Sequence, residues 1–437
     1  MQILVIGQCT LHWGRMEFGN MGNYYVIKPF FEELHRVFPS ANIVTTFQMS
    51  ECFCREENIT CLPMELYYAW TPEDLPKARF EYELAKHYHN SGILNERTPF
   101  VDVVMKSDLV IDFSGDIWGQ NADAVGPNRF EVGLLKDRTA QLLGKPTAML
   151  AGSPGPFRRD ALLDFAREVF GNFDLVTNRE PVSRKILEDY GFDLTHCCDC
   201  ACPAFEFEPA SQAQIAPLIS NSPLQKKDGR LIIGFILCGW NMQKGPFSRT
   251  DWDDREFDVF CESIRRIIQK YNAKFCFLSH SNGFVREPVF SLIHGRDYPI
   301  VKRLFDLLND GKVSDSLYLF EGIYSVEETK KIISNFDVLV SGRVHGAVAG
   351  LSQNVPTVMI DYGHEPKAHK IRGFAEVAGV EKYIADPYSG SDLVEKISSC
   401  IEHKDEIKRM LVRRNESILS LIRKNFDLLS GTVAQRS

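Results

Sequence analysis

The hexapeptide Ser341-Gly342-Arg343-Val344-His345-Gly346 gathers the residue types that anion chemistry needs. A guanidinium is a planar fork of donors that fits a carboxylate or phosphate, and imidazole exchanges a proton near neutral pH. Gly342 and Gly346 on either side permit a ligand to come close. Arg343, Gly342 and Gly346 are therefore read as the grip on an acidic substrate, and His345 as the group that moves a proton. Downstream, Asp361-Tyr362-Gly363-His364-Glu365-Pro366-Lys367 follows the next apolar run and brings a second cation, Lys367, to the same rim.

Other groups stand earlier in the chain. Asp112-Phe113-Ser114-Gly115-Asp116 ends an apolar run with two carboxylates. Asp116, beyond the run, is the candidate general base for a hydroxyl, whereas Asp112 is as well suited to capping the loop. Gly19-Asn20-Met21-Gly22-Asn23 immediately precedes a helical pattern, where backbone N–H groups face an anion. Gly19, Asn20, Gly22 and Asn23, with Ser153 of Ser153-Pro154-Gly155-Pro156, are the candidates for holding an anion or an acceptor.

These motifs need elements to position them, and short apolar runs alternate with amphipathic segments as in parallel sheets with crossover helices. Residues 2–7, 42–47, 108–113, 146–151 and 174–177 read as strands, and 23–37, 129–143, 160–170 and 181–190 as helices. Residues 206–230 lose periodicity and gather Pro, Ser, Gln and Lys, which predicts a linker. A second series follows, with strands at 231–237, 274–279, 317–320, 338–341 and 357–360 and helices at 254–271, 326–334 and 347–353. The expected organisation is a Rossmann-like domain over 1–205 on the acceptor side, a second over 231–390 on the donor side, and a helical segment over 391–437. Two doubly wound α/β domains facing an interdomain cleft describe a GT-B-like architecture.

Composition narrows the function. Length exceeds what one core supports, so two domains are expected. Hydrophobic residues at 44% and charged residues at 25% match folded proteins. A net charge of -8 argues against a general nucleic-acid binder, which needs a basic surface. No apolar run approaches the roughly 20 residues of a membrane span, and the opening residues read as a buried strand without signal-peptide features. A cytoplasmic protein is expected, with peripheral membrane contact left open. Twelve cysteines spread over such a chain are expected as thiols. Cys197-Cys198-Asp199-Cys200-Ala201-Cys202 does not carry the two C-x-x-C pairs of a structural zinc site, so no metal is expected there.

Taken in order, the motifs resemble the polysaccharide pyruvyl transferase family over nearly the whole chain. The resemblance rests on Gly19-Asn20-Met21-Gly22, Ser153-Pro154-Gly155-Pro156, Asn178-Arg179-Glu180-Pro181-Val182-Ser183, and Asp199 followed by Pro203-Ala204-Phe205. It is strongest at Tyr324-Ser325-Val326-Glu327-Glu328 and Gly342-Arg343-Val344-His345, with Val355-Pro356-Thr357-Val358, Tyr362 and Lys367 after them. It departs from the family pattern at Asn23, at Phe113-Ser114-Gly115-Asp116 and at Cys238-Gly239-Trp240-Asn241. The resemblance implies a GT-B-like fold, phosphoenolpyruvate as donor, and a sugar or lipid-linked glycan as acceptor, with no cofactor. It also implies a donor grip by Arg343 and Lys367 and protonation by His345. Two rivals share the architecture, a glycosyltransferase using a nucleotide sugar, with Asp361 or Glu365 for the ribose, and a non-catalytic protein that kept the fold. Both Arg343 and His345 fall on a strand-end loop, so their loss is expected to leave the fold intact.

Overall fold

Leu4, Val5 and Ile6 are wholly apolar, too few for a helix, and covered on both faces, which makes β1 (Gln2–Ile6) a central strand of a parallel sheet. In the computed structural model, which describes residues 1–226, 228–243, 245, 251–363 and 368–436, six more strands join it. They are β2 (Asn42–Thr45), β3 (Ile59–Cys61), β4 (Leu109–Asp112), β5 (Thr147–Gly152), β6 (Leu175–Asn178) and β7 (Cys197–Asp199). All pairings are parallel, in the order β3-β2-β1-β4-β5-β6-β7. Each parallel step needs a crossover. Helices Met21–Val37, Arg129–Leu142, Ala161–Gly171 and Val182–Asp189 supply four of them. Trp118 lies fully buried edge-on to Phe130, Phe157 and Phe192, so this indole is core.

The second series gives β8 (Ile232–Ile236), β9 (Lys274–Phe277), an antiparallel hairpin of β10 (Asn282–Val285) and β11 (Ser291–His294), then β12 (Leu317–Leu319), β13 (Val338–Ser341), β14 (Thr357–Ile360) and β15 (Ile384–Ala385). Leaving out the hairpin, these form a parallel sheet in the order β12-β9-β8-β13-β14-β15. Counted within its own half, that is the order 3-2-1-4-5-6, the same as the first six strands of the other sheet. In such sheets ligands bind beyond the carboxyl ends of the two strands where the winding reverses. Those strands are β1 and β4 in one sheet and β8 and β13 in the other, and each candidate motif at Asp112–Asp116 and Ser341–Gly346 leaves one of them.

The chain folds as two compact units. One comprises Met1–Glu17, Lys28–Cys202 and Ser420–Ser437, and the other Phe18–Ile27 and Pro203–Leu419. Residues 18–27 join the second because Asn20 pairs with Ser281 and the Tyr25 ring packs on Phe207. The final helix, Lys404–Arg436, ends in the first, where Asn425 donates to Ala201 O and Phe426 meets Phe30. The stretch 206–230 is not plain linker. It carries the helix Gln212–Ser220, opened by a reciprocal cap between Ser211 and Gln214. Only Ile215 of that helix is buried and Pro217 interrupts it, so it lacks the periodicity that would announce it. No helix among the described residues is long and apolar enough to cross a membrane. Cys197, Cys200 and Cys202 are buried, and burial pushes the thiols of Cys197 and Cys200 up to about 12. Among the described residues no cluster of three His, Cys, Asp or Glu side chains is placed to hold a metal ion.

Candidate active site

The site in the second unit begins where β13 stops. Ser341 folds its hydroxyl back, accepting from Arg343 N at 3.2 Å and donating to Arg343 O at 2.9 Å, which turns the chain into the helix Val344–Leu351. Its small residues let the helix lie close on the sheet: a Cβ on Gly350 would stand 2.7 Å from Leu339 Cδ2. Gly342 is required by contact, since a Cβ there would fall 2.0 Å from Asn241 Oδ1. Asn241 itself is buried and binds three strand ends together. It accepts from Cys238 N at 3.0 Å, donates to Asp361 O at 3.3 Å, and abuts Gly342.

Arg343 is held by a residue absent from the sequence-based candidates. Its Nε donates to Asp297 Oδ2 at 2.8 Å and its Nη2 to the other oxygen. Asp297 is fully buried, and its own N–H donates to Ser281 Oγ at 3.0 Å. Burial works against the guanidinium charge, but the Asp297 carboxylate outweighs it and raises the Arg343 pKa above its usual value. The side chain remains 11% exposed. One edge of the fork is thus fixed, and among the described residues no hydrogen bond engages Nη1. The motif supplies an oriented cation whose second edge is available to an anion.

His345, in the first turn of the helix, is half-buried and edge-on to Phe374 at 5.7 Å. Gly22 presses against its ring: a Cβ on Gly22 would lie 2.6 Å from His345 Nδ1. The Gly19–Asn23 turn, expected to serve the acceptor side, is packed here, and Asn20 Oδ1 accepts from Gly22 N at 3.1 Å. Asn23 lies in the same first turn, with its Oδ1 accepting from Asn20 Nδ2 at 3.3 Å, and Gly19 has open space where a Cβ would stand. Gly346 sits under the turn, 2.8 Å from Ser341 Oγ measured from a Cβ position. Lys367 and Glu365 lie outside the described residues. Asp361 caps Tyr362 N at 2.7 Å and pairs with Arg372 at 3.1 Å. Trp240 packs 5.9 Å from Tyr362 and is largely buried.

A second group occupies the first unit. Asp116 is partly exposed and lies 3.8 Å from Arg179 Nη2. Arg179, directly after β6, is almost wholly buried and donates through Nε to Ser153 Oγ at 2.9 Å. Ser153 therefore orients Arg179, and Arg179 orients Asp116. A cation immediately after a strand is the sequence signal for Arg179, which the Asn178–Ser183 motif contains. Asp112 is interior: it accepts from Ser114 Oγ at 2.9 Å, and Ser114 Oγ accepts from Gln8 N at 2.8 Å. Burial, tempered by the Ser114 bonds, pushes the Asp112 carboxyl up to about 7, while burial and the Asp112 charge push Asp137 well above its usual range. Of the two carboxylates in the motif, Asp116 alone reaches solvent.

The profile of the family described as polysaccharide pyruvyl transferase matches residues 24–364. The amylovoran biosynthesis protein AmsJ of Erwinia amylovora is 23% identical over 439 residues, covering 95% of this chain and 96% of its own. A glycosyltransferase structure from Rickettsia africae aligns with a TM-score of 0.59 at 11% identity, covering 100% of this chain and 99% of the other. The Anabaena protein Alr3699/HepE in complex with UDP aligns with a TM-score of 0.57 at 12% identity, covering 99% and 100%. At such identities the structural likeness shows the fold, which is of the GT-B type.

Proposed function

Since the chain belongs to the polysaccharide pyruvyl transferase family, and so is a transferase acting on polysaccharide, we propose that it moves pyruvate from phosphoenolpyruvate onto two hydroxyls of a sugar as a cyclic ketal. One observation carries the reading: Arg343 and His345 leave β13 together, within the residues that match the family, with Arg343 fixed by Asp297 and one edge of its fork open.

In this reading Arg343 receives the carboxylate or phosphate of the donor, and Lys367 is the second cation. His345, protonated, gives its proton to the methylene carbon, so that the enol double bond becomes a methyl group and the adjacent carbon becomes electron-poor. A sugar hydroxyl attacks that carbon and loses its proton to Asp116. Phosphate leaves with the C–O bond electrons, and the neighbouring hydroxyl closes the ring, giving up its proton to the departing phosphate. Preorganised cations supply the charge stabilisation, which is where most catalytic advantage arises in polar sites. No cofactor enters these steps. The acceptor is a sugar or lipid-linked glycan of a cell-surface polysaccharide, and the reaction belongs in the cytoplasm.

The GT-B likeness favours one competitor, a glycosyltransferase drawing on a nucleotide sugar, because the Anabaena neighbour holds UDP. Thermal melts separate the two, since a ligand that binds only the folded state raises stability by RT ln(1 + [L]/Kd). Phosphoenolpyruvate at millimolar concentration is expected to raise Tm more than UDP-sugars do. A larger shift with a UDP-sugar, and none with phosphoenolpyruvate, would replace this reading with the glycosyltransferase one.

A further inference from the structure

His280 is fully buried, and neither of its ring nitrogens has a hydrogen-bond partner. A buried imidazole ordinarily bonds to a carbonyl or carboxylate, and leaving a buried polar group unpaired is costly. The ring is not there by looseness of its surroundings. Ser281, the next residue, pairs with Asn20 and accepts from Asp297 N at 3.0 Å. Asn282 donates to Tyr324 O at 2.9 Å. A Cβ on Gly295 would fall 2.4 Å from Ser281 O, so the chain just after β11 is packed against the same turn. The Tyr25 ring stands edge-on to His280 at 5.4 Å. The side chain is thus positioned from several directions while its nitrogens stay unused.

Its location says what the nitrogens are for. His280 follows β9, and Arg343 follows β13; these strands flank β8 in the sheet. The backbone that carries His280 is bonded through Ser281 to Asp297, the residue that fixes Arg343. Both residues therefore follow the carboxyl ends of strands on either side of β8, the edge of the sheet where ligands bind. We propose that His280 is a second donor-binding residue, a neutral imidazole whose N–H bonds an oxygen of the anion that Arg343 receives. Burial and the Arg343 charge hold the His280 pKa down at about 3, so the ring stays neutral and cannot duplicate the proton delivery assigned to His345. A neutral ring keeps one N–H donor for an anion oxygen and one acceptor for an acidic proton. The assignment rests on the donor reading above and adds a residue to it.

The test compares His280→Gln, which keeps an N–H donor in similar volume, with His280→Met, which removes it. Binding of phosphoenolpyruvate to the full chain is measured by calorimetry, beside turnover and melting temperature. His280→Met is expected to weaken donor binding by about 10-fold or more, the scale of one hydrogen bond to a charged group, with kcat changed less than KM. His280→Gln is expected to stay within about threefold of the unaltered chain. Equal donor affinity in the two variants, with the unaltered chain binding normally, would overturn the assignment, because the ring would then meet a buried water or nothing. If the unaltered chain itself does not bind phosphoenolpyruvate, the donor reading fails and the His280 assignment falls with it.

Discussion

A charged residue can be placed by the ligand it awaits and by the partner it already has, and Arg343 has both. Its fork is shared with buried Asp297, so Arg343→Ala removes the donor contact and also strands a carboxylate in the interior. Breaking a buried pair by deleting one partner costs about 3–5 kcal/mol, which corrects the expectation that this loop could be altered without cost to the fold. Removing both charges, as in Arg343→Met with Asp297→Asn, isolates the binding role. That double variant is expected to melt closer to the unaltered chain than Arg343→Ala does, yet to lose donor affinity and turnover together. His345→Ala should behave otherwise. Loss of a general acid lowers rate by roughly 10²–10⁴-fold while leaving calorimetric donor affinity nearly unchanged. Near-full ketal formation by His345→Ala, read by mass spectrometry, would make His345 a packing residue and end the proposed proton step.

At the level of elements, the decisive unit is the strand β13, the Ser341 turn and the helix Val344–Leu351. Gly342→Ala tests it. The new methyl meets Asn241 Oδ1, so Asn241 must give up its bonds to Cys238 N and Asp361 O, and three strand ends lose their common tie. Overpacking of this kind costs about 1–3 kcal/mol. The expected result is a lower Tm and at least a tenfold loss of turnover, and Asn241→Ala combined with Gly342→Ala should lose little more than either alone, since contacting residues are not additive. Strict additivity would mean that Asn241 does not mediate the effect. This unit was legible in the sequence because its signals are local: Val338-Leu339-Val340, then Ser-Gly, then a run of small residues. The strand β3, the helix Gln212–Ser220 and the hairpin β10–β11 were not. Their apolar residues are few or exposed, and pairing or packing with distant segments makes them regular. Asp297 and His280 escaped for the same reason. Each is an ordinary polar residue in sequence; the sheet order that brings β9 beside β8, and β8 beside β13, gives His280 its place, and the bonds to Ser281 and Arg343 give Asp297 its role.

Over the whole molecule, buried ionisable groups set how stability responds to pH, and two neighbouring carboxyls in the first unit contribute to that response. Asp112 is pushed up to about 7 and Asp137 well above its usual range, first by burial and, for Asp137, next by the Asp112 charge. Both folded values exceed the unfolded value of about 3.9, so the folded chain binds more protons than the unfolded one in between. Their stabilising contribution is fully present below about pH 4; that of Asp112 is lost as pH rises through about 7, and that of Asp137 as pH rises through its own raised value. Asp137→Asn removes one member of the pair, and its side-chain oxygen can still accept from Trp118 Nε1, which now donates to Asp137 Oδ2 at 3.3 Å. The variant should therefore match the unaltered chain near pH 4 and melt higher than it at pH 8. A gain of roughly 2–4 °C is expected there, the shift that about 1 kcal/mol produces in a domain of this size. Two lysines bend the curve the other way: burial lowers Lys136 to about 8 and Lys330 to about 7, so stability tied to them rises as pH climbs above those values toward about 10.4. Because the lysines are untouched by Asp137→Asn, the difference between variant and unaltered chain isolates the carboxyl pair. Melts from pH 4 to 8 in which that difference stays constant would show that Asp112 and Asp137 ionise independently of the fold.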